Sequence, residues 1–335
     1  MNELLVAAGL ALVLATAADV VPTVFDVGRG GGPVTGRTCM MLWRLVLRAR
    51  RRGLSHRGVE TCGVIILLSV VTTWVVGLWA GWFLTFSADR ASLVVEATGD
   101  AASALDRAYF VGGGLFSLSL GDVRPGGPGW RLAAVGMVAS GLLIIMLSIT
   151  YLVPVVEAAT RRRELAGRIA VLGASPESVV LAAWDGSSTA DLGEHLRDLL
   201  PDLMAVAQQH LAYPVLHFFH AARRTVALAP NVAVLDEALG IIEHGLRPEV
   251  GPDPVTLRAI RGAVDELVTT LRLHLVGDPE PPPTPDLDAL RGERVPLTDA
   301  QDFRQAMGQA QERRRGLKAM VEEDGWDWKD VVAMA

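Results

Sequence analysis

Three apolar runs, Leu4–Phe25, Thr61–Phe86 and Trp130–Val156, limit what this chain can become. Each is long enough to cross a hydrocarbon core, which takes about 20 apolar residues in a helix. Inside lipid every backbone N–H and C=O must be paired within the structure, so runs of this kind are expected as helices. The first carries one charge, Asp19, in its 22 residues. Its flank, Met1-Asn2-Glu3, has no basic residue, which favours a retained helix over a secretory leader, although Ala15-Thr16-Ala17 resembles a cleavage site. Asp19 reads as a helix-packing residue, while intramembrane acids are functional candidates by default.

Arginine sets the expected topology. Arg44–Arg57 precede the second run and Arg161–Arg163 follow the third, so both flanks are expected on the cytoplasmic side. The chain then crosses the plasma membrane three times, with its N-terminus outside and its C-terminal part in the cytoplasm. Gly28–Gly36 reads as a glycine-rich hinge. Beyond it, Met40, Met41, Trp43, Leu45 and Val46 alternate with Arg44, Arg48, Arg50, Arg51 and Arg52. That mixture suits an interfacial helix on anionic headgroups; a solvated basic connector is the alternative. Cys39 and Cys62 fall on the cytoplasmic side, where free thiols are expected.

Half of the residues are apolar and the net charge is -6. Mean hydropathy is +0.34. The apolar residues crowd the first half, as in a membrane domain followed by a soluble one. Lys318 and Lys329 are the lysines; the remaining positive charge is arginine, a bias that fits codon usage better than nucleic-acid binding.

Between the second and third runs lies Tyr109–Asp122, YFVGGGLFSLSLGD. A helix over about Leu105–Phe116 followed by a Gly-Asp turn, set between two spans, is the layout of a cation-channel pore. The stretch resembles the pore of the tetrameric potassium-channel superfamily, whose filter reads Thr-Val-Gly-Tyr-Gly-Asp and replaces the ion's water shell with backbone carbonyls. Without gaps, the filter falls on Ser117, Leu118, Ser119, Leu120, Gly121 and Asp122. Pro125, Trp130-Arg131 and Gly141, twenty residues after Gly121, continue the match. The resemblance covers roughly 61–163. It implies a homotetramer in which 117–121 line the conduction path, Asp122 guards the outer mouth, and Gly141 and Pro154 allow gate movement. It implies no cofactor beyond the permeant monovalent cation, K+ and, through a weakened filter, Na+. Ser119 for the first glycine and Leu120 for the tyrosine depart from the family pattern. Each of Gly112, Gly113 and Gly114 inside the pore helix costs about 1 kcal/mol relative to alanine, which close packing on a neighbouring helix would explain.

From Glu164 the composition turns soluble. Arg168–Gly173, RIAVLG, could open a nucleotide-binding unit, but no G-x-G-x-x-G follows. Ser175-Pro176-Glu177 and Asp253-Pro254 are helix starts. Helices are expected at 176–184, 189–211, 214–228, 231–245, 254–275 and 297–322. His210, His217 and His220 share a helical face if the break at Pro214 is modest; they could bind zinc or sense pH. Tyr213, Phe218 and Phe219 around them favour a packed aromatic seam, with no carboxylate in the vicinity. No nucleophile elbow, Walker loop or zinc-protease motif is present, so an enzyme is not expected.

The expected fold class is an all-α membrane protein: a two-helix-plus-pore-loop module with an extra N-terminal transmembrane helix and an all-α cytoplasmic domain. Its expected parts are 1–27 (first span), 28–60 (linker and basic helix), 61–163 (pore module), 164–276 (helical domain) and 277–335 (Pro-rich linker and last helix). The expected partners are membrane lipid, copies of the same chain and an unidentified cytoplasmic regulator. A non-conducting membrane-anchored sensor or scaffold that retains the pore fold is the alternative function.

Overall fold

A computed structural model describes residues 1–26, 31–51, 56–118, 121–272 and 279–332. Three of its helices are long and apolar enough to cross a membrane: Glu3–Phe25, Glu60–Ser87 and Pro128–Leu172. The chain divides into two compact units, one of residues 1–47 and 64–155, the other of 48–63 and 156–335.

The first unit is built on α1 (Glu3–Phe25) and α3 (His56–Ser87), which pack antiparallel. Asn2 starts α1 by accepting from Leu4 and Leu5 N–H, and its own N–H donates to the Ala88 carbonyl at 2.7 Å. The helices approach through small residues, because lipid offers no hydrophobic gain for bringing large ones together. Gly9 faces Gly81 and Thr85, and Gly77 faces Thr16; a β-carbon at any of the three glycines would fall inside 3.0 Å of its neighbour. Between them in sequence, α2 (Pro33–Arg51) buries Thr35, Cys39 and Trp43, one residue per turn.

An aromatic seam joins α3 to α5 (Pro128–Leu172), again antiparallel. Trp74 meets Tyr151 edge-on at 5.7 Å, and Phe86 meets Trp130 at the same centroid distance. The Trp82 indole N–H donates to Ser140 Oγ at 2.9 Å, so the seam buries its polar tip with a partner. At 45 residues α5 is about 67 Å long, more than twice a hydrocarbon core. The RIAVLG stretch is the last turns of this helix and opens no strand.

Helix α4 (Ala104–Leu115) lies where the pore helix was expected. Ser103 starts it with a capping box: Ser103 Oγ accepts from Asp106 N–H and Asp106 returns the bond to Ser103 N–H. One departure from an all-α unit follows. Strand β1 (Leu93–Val95) pairs antiparallel with β2 (Val123–Pro125), Val94 opposite Arg124.

The second unit is a helical domain around α8 (Leu228–His244). Every residue of α8 from Leu228 to Ile242 is buried, Asn231, Asp236 and Glu237 included, so its polar side chains need partners. Around it stand α6 (Pro176–Ala183), α9 (Pro254–Arg272), α11 (Ala300–Gln309), α12 (Gln311–Glu323) and α13 (Lys329–Val332), with α7 (Leu192–Ala212) packed on α9 and a short α10 (Asp288–Gly292) against α6. Two expectations are corrected here. The helix expected at 214–228 is two short 3-10 turns, Pro214–Phe218 and Arg224–Val226. Pro214 forces Tyr213 out of the helical region (φ -127°, ψ 78°), so the break is complete. The stretch expected as a linker and last helix supplies Leu287, Leu290, Phe303, Met307, Leu317 and Val331 to the same core. The polar residues of α8 are matched by arginines: Asp236 pairs with Arg261 and Arg313, and Glu237 with Arg314 at 2.6 Å. Arg314 also donates to the carbonyls of Pro282 and Pro283, which anchors the proline run.

Candidate functional site

The layout of α4 follows from three contacts. Its start lies beside β1, where Ala102 N–H donates to the Leu93 carbonyl at 2.9 Å, and in its second turn Phe110 meets Phe86 edge-on at 5.6 Å. Midway, the Ala108 carbonyl accepts from the Trp79 indole at 3.2 Å and Gly112 faces that ring. At its end, Gly114 lies against Met137 and Leu115 against Gly141. From Trp130 to Gly141 α5 advances by 11 residues, about 16 Å. Helix α4 therefore descends between α3 and α5 to near the middle of the apolar stretch. Chain direction then reverses, and by Val123 it pairs with β1, just after α3. The described chain thus runs in along α4 and is back beside the end of α3 by Val123. The glycines of α4 are the closeness it needs.

The reversal is a Schellman cap. Leu118 N–H donates to Gly113 carbonyl at 2.8 Å, and Ser117 N–H to Gly114 carbonyl at 3.0 Å. Ser117 sits in the left-handed region, φ 59°, where glycine is usual. The first residue of the expected filter is thus the stop of α4. Leu118 is 61% exposed and Phe116 53%. Ser119 and Leu120 lie outside the described residues. Gly121 and Asp122 are exposed at the turn into β2, and the Asp122 carbonyl accepts from Glu96 N–H at 2.9 Å. Hydrogen bonds from Ser103 hold the Asp106 carboxyl below the usual range. Pro154 is partly buried, and α5 runs through it as one helix.

Asp19 is a cap for another helix. Its carboxylate accepts from Val34 N–H at 2.7 Å and Thr35 N–H at 3.1 Å, at the start of α2, and from the Thr35 hydroxyl at 2.5 Å. The Trp74 indole completes the set at 3.1 Å. Gly32 presses its backbone on Asp19, where a β-carbon would collide, and donates to Thr23 Oγ1 at 2.7 Å. The buried charge is placed on the positive end of α2. Along α2, Arg44 and Arg48 are exposed beside exposed Met41 and Leu45. Arg50 and Arg51 belong to the same helix, and Arg52 lies outside the described residues.

In the helical domain the three histidines do converge, and carboxylates join them. A cavity of about 40 Å³ is lined by Arg162 of α5, His210 of α7, His217 and His220, Leu228 and Ala229 of α8, Leu271 of α9, and Met320, Glu323 and Asp324 at the end of α12. His217 Nε2 is 3.5 Å from Glu323 Oε1. His220 Nδ1 is paired with Asp324, and Arg162 donates to the Leu216 carbonyl. The rings of His210 and His217 meet edge-on at 6.4 Å. The expectation of an aromatic seam without carboxylates is corrected: the acids arrive from a hundred residues away. Among the described residues no group of three His, Cys, Asp or Glu has metal-holding geometry.

No family model matches the chain, and no solved structure does. Over 330 residues, 98% of this chain and 96% of the relative, it is 31% identical to the "Uncharacterized membrane protein YdjJ" of Bacillus subtilis (strain 168). That alignment spans the membrane spans and the helical domain alike. With three membrane-length helices and a relative named as a membrane protein, the chain is a membrane protein. It belongs to the family of YdjJ.

Proposed function

We propose that the chain is one subunit of a homotetrameric cation channel in the plasma membrane. The observation that carries this reading is the re-entrant path of α4 and the residues after it. Irregular backbone at membrane depth is tolerated only where protein covers it or water fills a cavity beside it. Phe116, Leu118, Gly121 and Asp122 are exposed in the single chain. Copies of the same chain around a wet axis would satisfy that backbone, and 117–121 would then line the path. Asp122 would stand at the outer mouth with Asp89, Glu96 and Asp100 of the loop after α3, raising local cation concentration. Gly141 and Pro154 lie on the inner helix of each subunit, where movement would open the path.

With the arginines of α2 and Arg161–Arg163 on the cytoplasmic face, the helical domain would lie in the cytoplasm and the N-terminus outside. Arg44, Arg48, Arg50, Arg51 and Arg52 would bind anionic headgroups. The domain then assembles or gates the pore. Ser119 and Leu120 in the filter predict weak preference for K+ over Na+.

A second reading draws on Ser117. Its use as a helix cap removes one position from the filter, which favours a non-conducting sensor or scaffold with the pore fold. Cation flux from liposomes reconstituted with the purified protein separates the two. K+-driven flux that disappears when Asp122 and Gly121 are replaced supports the channel; its absence in a reconstituted tetramer supports the scaffold.

A further inference from the structure

The end of α12 is built against its own electrostatics. Glu322, Glu323 and Asp324 close the helix, and negative charge at a helix C-terminus opposes the dipole. Lys318 stands 3.9 Å from Glu322, one turn back. The other two acids turn into the cavity, towards His217 and His220. The charged and titratable groups facing that cavity are Arg162 from α5, His210 from α7, His217 and His220 from the segment after it, and Glu323 and Asp324 from α12; α8 and α9 contribute only Leu228, Ala229 and Leu271.

Arg162 supplies one positive charge and the two acids two negative ones. With all three imidazoles neutral, the cavity holds a net negative charge among apolar walls. One proton on the imidazoles makes it neutral. We propose that the cavity is a proton-binding site: a proton taken up by the His217 and His220 pair charges their contacts to Glu323 and Asp324 and fastens the last turn of α12 to the segment that Arg162 of α5 also holds. Imidazole is the side chain whose ordinary titration falls between about pH 5 and 8. The charged form is the protonated one, so the fastening strengthens as pH falls. It weakens as pH rises and the imidazoles give up that proton, which leaves Arg162 facing the two acids of α12. An effect of this site on ion flow rests on the channel reading above; the fastening itself does not.

The test is amide hydrogen exchange on the full-length protein in lipid nanodiscs, compared at about pH 6 and pH 8 and corrected for intrinsic rates. Residues 318–326 of the unmodified chain should open about fivefold more often at the higher pH, while the buried α8 keeps equal protection. Replacing both partners, His217→Gln with His220→Gln, should bring the ratio to about one. Asp324→Asn keeps both imidazoles and should lower the ratio too, which serves if the double variant does not fold. Equal protection of the unmodified chain at both pH values overturns the proposal, as does an unchanged ratio in either variant. Zinc that restores protection at the higher pH would assign the cavity to a metal and overturn it as well. Because the readout is exchange, it fails separately from any flux measurement.

Discussion

Gly141 and Leu115 meet backbone to backbone: a β-carbon on residue 141 would fall within 3.0 Å of the Leu115 carbonyl oxygen and of its Cα. Glycine here lets the end of α4 reach α5. A hinge and a close approach make different demands on that position. Gly141→Ala should lower the thermal midpoint in detergent by an amount corresponding to about 1–3 kcal/mol, the usual result of overpacking. A midpoint that stays put while ion flow changes would mark a hinge instead.

Ser117 holds a backbone conformation that costs an L-residue about 1–2 kcal/mol. Ser117→Gly should therefore raise the thermal midpoint, by up to about 1 kcal/mol once the greater freedom of the unfolded glycine is deducted. A lowered midpoint would mean that the Ser117 side chain contributes more than its backbone costs.

Asp19 accepts from two N–H groups of α2, a hydroxyl and the Trp74 indole. Asp19→Ala leaves each of these buried donors short of a partner, at about 1–3 kcal/mol per group. Asp19→Asn keeps one carbonyl oxygen and should lose less. The order wild type, Asn, Ala in thermal midpoint is the expected outcome; three equal midpoints would remove the cap from the account.

Glu237 makes the helical domain pH-dependent in its own right. Burial outweighs the adjoining Arg314 guanidinium and pushes its carboxyl from the ordinary value of 4.5 up to about 7. The folded chain then binds a proton that the unfolded chain releases between those two values. Stability from this group is full below about pH 4.5, falls as pH rises to about 7, and is flat beyond. Glu237→Gln should flatten that fall in the urea midpoint. A slope that persists unchanged would locate it at other groups.

Selectivity is the sharpest consequence of the channel reading. A hundredfold preference for K+ needs only about 2.7 kcal/mol between the two ions. Strain from Ser119 in a glycine position is of comparable size, about 1–2 kcal/mol. Reversal potentials under opposed gradients should show weak discrimination, and Ser119→Gly with Leu120→Tyr should move them towards K+. A wild-type reversal at the K+ equilibrium potential would mean that the filter tolerates both substitutions.

What could be read in advance follows from the range of each interaction. The spans depend on local composition, and α4 on a short local pattern with its Ser103 cap; both are legible over a few residues. The three-residue strands β1 and β2 are too short for alternation to register. Asp19 was visible as an intramembrane acid, but its donors lie fifteen residues on, across the glycine hinge. A hint existed: Pro33 opens a helix with Gly32 before it and no Ser, Thr, Asp or Asn in the capping position. Asp236-Glu237 and Arg313-Arg314 are adjacent pairs of opposite sign that meet across 77 residues. Asp324 reaches His220 across 104 residues. Periodicity is silent about such partners, because two charged positions on separate helices look like two solvated faces.

The burial of α8 has a consequence for how the protein is made. A ribosome finishes His244 some 87 residues before Val331, whose side chain closes the same core. At about 5–20 residues per second that interval lasts several seconds. Throughout it, the most deeply buried helix of the domain has α6 beside it but lacks α11, α12 and α13. Loss of residues 300–332 alone would therefore leave α8 without three of the helices that cover it, so quality control should treat a local deletion as damage to the whole domain.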